Sequence, residues 1–209
     1  LLVSTGGCWG CKPVELGWAM LTDRGDLQPM ADDWTRIRYD NPSERVARIT
    51  LARPEAANAQ DYLMISELNA ALDKAARDDQ VRVIVLAADG KHFSSGHDLS
   101  ALKPDMDDFP TVGTQCHFDA PGAEGYMAKE AEMYVGMCWR WRNIPKPTIC
   151  AVQGKVIAGG LMLVWPMDMI VCSEDASFSD PVVAFGVNGH EYFVHPYEAG
   201  ARLAKEMLF

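Results

Sequence analysis

Residues 90–99 read Gly90-Lys91-His92-Phe93-Ser94-Ser95-Gly96-His97-Asp98-Leu99, and residues 152–160 read Val152-Gln153-Gly154-Lys155-Val156-Ile157-Ala158-Gly159-Gly160. Each segment is a glycine-bearing turn directly after an apolar, β-branched run, Val83 to Leu86 in one case and Thr148 to Val152 in the other. Two such turns are able to bring two backbone N–H groups together, and two N–H groups aimed at one carbonyl oxygen form an oxyanion hole. The apolar stretch from Ala158 to Val164 reads as a short helix. Gly159 and Gly160 therefore stand where N–H groups lack intrahelical partners and where the helix dipole favours an anion. Glycine there also allows a ligand to approach the backbone closely. The other reading of the pair is tight packing of helix on strand.

The elements that must carry these turns alternate between strands and helices, which argues an α/β fold. Trp34–Tyr39 and Val46–Leu51 read as strands, with Asn41-Pro42-Ser43 as the turn of a hairpin. Arg53 to Asn58 is a loop. Asp61 then caps a helix with Ile65, Leu68 and Leu72 on one face, ending near Asp78-Asp79. Arg82–Ala87 lacks polar alternation and reads as a buried strand. Residues 100–122 form a long irregular loop, of the kind that is usually functional or mobile. Glu124–Arg142 is helical by pattern and is stopped by Ile144-Pro145-Lys146-Pro147. Thr148–Gly154 and Met169–Cys172 are strands, Ala176-Ser177-Phe178 is a short extended piece, and Tyr197–Phe209 opens another helix.

The 209 residues suffice for one domain with a substantial core. A formal net charge of −10 with no Lys/Arg cluster argues against a nucleic-acid partner. No apolar run reaches the roughly 18 residues of a membrane span. Cysteines at 8, 11, 116, 138, 150 and 172 show no disulfide framework, which suits a reducing, cytoplasmic chain; Cys150 and Cys172 are expected as buried free thiols. Cys8-Trp9-Gly10-Cys11 has no second pair for zinc, and no metal site is expected. Residues 1–29 differ in character from the rest and read as a leader or non-native extension, with Met30 as the natural first residue and 30–209 as the functional domain.

Taken in order, the pieces resemble the crotonase superfamily, the enoyl-CoA hydratase/isomerase family. They are Arg53-Pro54-Glu55-Ala56-Ala57-Asn58-Ala59, the Phe93 to Leu99 turn, Ile144-Pro145-Lys146-Pro147-Thr148, Val152-Gln153-Gly154, Ala158-Gly159-Gly160, Asp168-Met169-Ile170 and Ser173 to Phe178. The resemblance runs from about Trp34 to the end of the chain. It implies a spiral of ββα units, a coenzyme A thioester as substrate with no permanently bound cofactor, and a homotrimer or hexamer. It also implies further helices beyond Phe209, so the domain is expected to be incomplete at its C-terminus. The implied oxyanion donors are the backbone N–H groups of His97 and Gly159. Coenzyme A contacts are implied for Arg53, Ala56, Lys91, Phe93, Ser94, Ser95, Gly96 and Gly160, although Ala57 stands where a basic residue is frequent.

One part of the pattern breaks. The two glutamates of the hydratases fall on Met162 and Val182, and neither side chain can move a proton. The candidates to replace them are His190, Asp180 and Glu191, in that order, with His195 behind them. Asp180 precedes Pro181, is biased toward extended backbone, and either faces the pocket or caps a backbone N–H. If 189–192 is extended, His190 and Glu191 point opposite ways, and at most one of them faces a thioester. Asp98 is expected to fasten the turn. The His97 side chain is implied to face the substrate, as in the methylmalonyl-CoA decarboxylase-like members. Three readings follow: an enoyl-CoA hydratase/isomerase-type enzyme that stabilises an enolate, a decarboxylase or hydrolase of CoA thioesters, or an acyl-CoA-binding pseudoenzyme.

Overall fold

The computed structural model describes residues 33–100, 109–186 and 192–209. The expected division at Met30 lies outside them. A five-stranded sheet runs in the order β1-β2-β3-β4-β6, built from β1 (Ile37–Ser43), β2 (Val46–Leu51), β3 (Val83–Ala88), β4 (Thr148–Val152) and β6 (Met169–Cys172). Only β1 is antiparallel to its neighbour; the other pairings are parallel. A second sheet joins β5 (Lys155–Ile157) to β7 (Ser177–Ser179), also parallel.

The hairpin forms, but its turn sits elsewhere than expected. β1 continues through Asn41-Pro42-Ser43, and the chain reverses after it, with Arg45 left-handed at φ 64. Pro42 is tolerated because β1 is an edge strand, where a missing N–H breaks no ladder. The register shift between Asp40 and Ser43 absorbs the irregularity.

Helix α1 (Tyr62–Arg77) buries Ile65, Leu68 and Leu72, the periodic face, together with Met64. These side chains share one core cluster with Ala47, Ile49 and Leu51 of β2 and Ile84 and Leu86 of β3. The Asp61 carboxylate caps the helix by accepting the Met64 N–H at 2.8 Å, and it also meets Arg36 at 2.8 Å. Asp61→Ala should lower folding stability by about 1–2 kcal/mol, the usual cost of losing a cap. Urea unfolding checks this. An unchanged midpoint and slope would show that the cap contributes nothing.

The expected helix 124–142 is three joined pieces: α2 (Ala123–Glu130), a π-helical stretch (Ala131–Gly136) and α3 (Met137–Arg142). The wider π turn brings Met133 and Tyr134 inward beside Met137, Cys138 and Trp141. Strand β5 was not expected; it is short and begins with a lysine, so it offers little period to read. After β5, a 3₁₀ turn (Ala158–Gly160) leads into α4 (Leu161–Val164). The C-terminal helix is broken into α5 (His195–Glu198) and α6 (Ala201–Leu208) at Gly200, whose φ is +78.

Cys150 is a buried free thiol, and burial pushes its pKa up. Cys172 corrects the expectation: it is exposed, as are all four residues of β6. β6 is the far edge of the sheet, and nothing among the described residues covers its side chains. No described helix is long and apolar enough to cross a membrane.

Candidate active site

The two glycine turns are joined. Ser94 and Val156 form a parallel bridge, with the Ile157 N–H donating to Ser94 O at 3.0 Å and the Ser94 N–H donating to Lys155 O at 3.2 Å. Gly96 lies so close to the second turn that a Cβ on it would stand 3.1 Å from the Gly159 nitrogen and 2.9 Å from Ile157 O. Its φ of +94 also requires glycine. Gly159 in turn backs onto His97: a Cβ there would fall 2.5 Å from His97 Cδ2 and 2.7 Å from Nε2. Gly159 is buried, so close packing and an amide held at the turn are properties of one arrangement. Among the described residues, neither the His97 N–H nor the Gly159 N–H donates to a backbone carbonyl.

Gln60, which the sequence reading passed over, ties the turns together. It is fully buried. Its backbone N–H donates to Gly96 O at 2.8 Å, and its side-chain Nε2 donates to Gly159 O at 2.8 Å and to Ser94 Oγ at 3.3 Å. In a trans peptide the C=O and the following N–H point opposite ways. Anchoring Gly96 O on Gln60 therefore turns the His97 N–H away from Gln60. The Ser94 hydroxyl adds to the frame, donating to Asn58 O at 2.9 Å and accepting the Gly96 N–H at 3.2 Å.

The His97 ring packs at a tilt against Tyr134, centroids 3.9 Å apart, and its Nε2 is enclosed without a hydrogen-bond partner. Burial lowers its pKa from an ordinary 6.5 to about 4, against a smaller opposing pull from the Asp180 carboxylate. The ring is thus neutral near pH 7. Because the folded pKa is depressed, the stability this residue contributes is complete above about pH 6.5. It is lost as pH falls toward 4, where the unfolded chain takes a proton that the folded one refuses. Between pH 7.5 and 5.0 the parent should lose about 2 kcal/mol more than His97→Gln. Urea titrations of both at the two pH values test this, and parallel losses would sink it.

Asp180 follows β7 and is fully buried. Its side chain caps no backbone N–H, so the capping alternative is not what forms. Instead its Oδ2 lies 2.8 Å from Nε2 of His195, which is also buried. His190 and Glu191 lie outside the described residues. Asp98 fastens the turn as expected: Oδ1 accepts the Ser100 N–H at 3.0 Å and Oδ2 pairs with Arg53 at 3.0 Å. Its pKa is lowered, first by the Ser100 hydroxyl and also by Arg53.

The match that settles kinship is to the enoyl-CoA hydratase/isomerase family model, over residues 41–209. The chain belongs to the enoyl-CoA hydratase/isomerase family. It is 43% identical over 193 residues to EchA13 of Mycobacterium tuberculosis, whose name places it among enoyl-CoA hydratases; the match covers 88% of this chain and 60% of that one. The solved structure of a probable enoyl-CoA hydratase from Mycobacterium smegmatis superposes with a TM-score of 0.71 at 46% identity, covering 83% of this chain and 63% of the other. One from Mycobacterium thermoresistibile gives 0.69 at 48% identity, covering 83% and 65%. The chain thus spans a little under two thirds of the length of these relatives. Its α/β architecture is the crotonase fold.

Within this family member, the residues expected at coenzyme A divide into two sets. Phe93 and Ser94 have fully buried side chains. The N–H groups of Phe93, Ser94, Ser95 and Gly96 all donate inside the protein, to Lys155 O twice, Ala57 O and Ser94 Oγ. These residues build the turn. Arg53 likewise works inward: its guanidinium meets Asp61 at 3.2 Å, Asp98 at 3.0 Å and Ala59 O at 2.8 Å. Lys91 is exposed, and Ala56 and Ser95 are half-buried. Gly160 packs against Ser94, whose carbonyl oxygen would be 2.9 Å from an added Cβ. Met162 and Val182, at the glutamate positions, are both buried.

Proposed function

We propose that the protein is an enzyme acting on an acyl-CoA thioester. The thioester oxygen sits between the His97 and Gly159 N–H groups, and negative charge gathers on it as an enolate. The observation that carries this reading is the meeting of the Gly96 and Gly159 turns, with both N–H groups left without a carbonyl. Donors fixed in advance cost no reorganisation when charge develops. Coenzyme A enters as part of the substrate, and no permanent cofactor is needed. Its handle lies near Ala56, Lys91, Ser95 and the Gly96 and Gly160 backbones, with Arg53, Phe93 and Ser94 as the frame behind. Proton traffic falls to Asp180, or to His190 or Glu191 of the adjoining segment. A trimeric or hexameric assembly belongs to the same reading, as does a reducing cytoplasm, with which the free thiols of Cys116, Cys138, Cys150 and Cys172 agree.

Met162 and Val182 favour reactions with light demands on acid and base. A shift of a double bond needs one group to carry one proton. Decarboxylation needs no base, because the departing CO2 leaves its electron pair on the enolate, which then takes one proton from water. Hydration needs a water activated as well as a proton delivered, so it is the least favoured. Calorimetry with butyryl-CoA, followed by turnover of 3-hexenoyl-CoA, malonyl-CoA and crotonyl-CoA, tests the reading. Binding with isomerisation or CO2 release is expected. Binding without turnover of any thioester would make the protein an acyl-CoA carrier, and no binding would end the thioester reading.

A further inference from the structure

Asp180 and His195 are the buried titratable pair that the oxyanion geometry leaves unused. β7 runs parallel to β5 with Ser179 opposite Ile157; beyond that last pair β5 turns at Ala158 toward Gly159, and the Asp180 N–H donates to Met207 O at 3.1 Å. Neighbouring strands lie about 4.8 Å apart. Asp180 therefore leaves β7 at the same end of the two-stranded sheet where β5 runs into the turn that carries Gly159. Asp180 and His195 are 0% and 2% exposed, and their contact is the 2.8 Å one between Oδ2 and Nε2. Neither Asp180 oxygen and neither His195 ring nitrogen makes a hydrogen bond among the described residues. Around the imidazole are the rings of Trp165, at 5.8 Å, and Phe193, at 5.0 Å.

Such a pair is a poor structural device. Burying a carboxylate with no hydrogen bond to either oxygen is costly, and apolar residues of similar volume hold a core better. The cost makes sense if Oδ1 is kept for something that arrives. The positions from which two glutamates would act carry Met162 and Val182, and Asp180 is a fully buried carboxylate two residues before the second of them. The Asp180 charge is also felt at the His97 ring.

We infer that Asp180 is the catalytic residue that carries the proton, and that His195 is a positioning residue that holds its carboxylate. The inference rests on the thioester reading above. Asp180 Oδ1 takes a proton from the carbon next to the thioester carbonyl. That C–H bond breaks, and its electron pair moves into a C=C bond as the carbonyl π pair moves onto oxygen. The His97 and Gly159 N–H groups hold the oxyanion. Asp180, now a carboxylic acid, returns the same proton to the γ carbon of a 3-enoyl chain. The enolate collapses to the 2-enoyl thioester, and no co-reactant is consumed. His195 Nε2, against Oδ2, keeps Oδ1 turned to the substrate.

Proton exchange separates this from the thioester reading itself. The full-length protein is incubated with butyryl-CoA in D2O, and deuterium at the α carbon is followed by NMR. If the parent exchanges nothing, both the thioester chemistry and the dyad fall. If it exchanges, Asp180→Asn should slow it about 100- to 10,000-fold, the usual range for a lost acid–base group, with butyryl-CoA affinity kept. An Asp180→Asn protein that exchanges at the parent's rate overturns the dyad and leaves the thioester reading standing. His195→Phe should cut the kcat for 3-hexenoyl-CoA about tenfold with KM unchanged, and His195→Gln, which keeps a polar N–H, should restore most of it. Equal losses in Phe and Gln variants, or a rise in KM alone, would assign His195 to structure and overturn its role. Should Asp180→Asn not fold, the His195 pair decides.

Discussion

Gly159→Ala should reduce turnover of an acyl-CoA thioester by about 100- to 1000-fold, the size of effect seen when one oxyanion donor is lost. The methyl group has nowhere to go. Its carbon would fall 2.5 Å from His97 Cδ2 and 2.7 Å from Nε2, well inside contact distance. The His97 ring cannot retreat freely, because the tilted Tyr134 ring packs against it with centroids 3.9 Å apart. The strain is relieved by moving one turn away from the other, which spreads the two N–H groups. Stability should fall far less than rate, since the displaced ring forfeits no hydrogen bond at Nε2. Steady-state kinetics beside urea unfolding makes the comparison. A variant with parent-like kcat would mean that the Gly159 N–H is not a donor to the reacting oxygen.

Gln60→Leu should be nearly as damaging, through a different route. Leucine fills similar space but offers nothing to Gly159 O or Ser94 Oγ, which Gln60 Nε2 serves at 2.8 and 3.3 Å. A buried carbonyl left without its donor costs about 1–3 kcal/mol. The backbone half of the clamp survives, because the residue 60 N–H still reaches Gly96 O at 2.8 Å. The first turn should therefore hold while the second loosens, and kcat should fall by about 10- to 100-fold, a fraction of the full loss of an oxyanion donor. The pair of readings, unfolding and kcat, is informative together. Lost stability with intact kcat would make Gln60 a packing residue only.

Much of this was legible from residue order. The turns at 93–99 and 154–160 stand out because glycine interrupts β-branched runs, and α1 shows its buried face by spacing alone. Gln60 could not be found that way. Its partners lie 34 and 99 residues along the chain, and an isolated glutamine carries no chemistry that marks it. The π stretch at Ala131–Gly136 was hidden because one widened turn barely shifts an apolar period. The partners of Arg53 were hidden for a related reason. A cation beside a motif suggests a phosphate, but Asp61 and Asp98, near and far in sequence, close on it in space. The Asp180–His195 contact joins two residues across the 187–191 segment, and no periodicity reports on such a meeting. His190, first among the sequence candidates, remains a proposal resting on residue type.

Strand β6 carries a consequence for handling the protein. Met169, Ile170 and Val171 are 49%, 37% and 61% exposed, on a strand whose outer side is unpaired among the described residues. An apolar ribbon with free backbone donors and acceptors along one side is a template for another strand. Purified alone at high concentration, this length of polypeptide should be sticky, and its light scattering should rise with concentration unless a neighbour shields the ribbon. Val171→Lys, which adds a charge to that exposed ribbon, should keep such preparations clear.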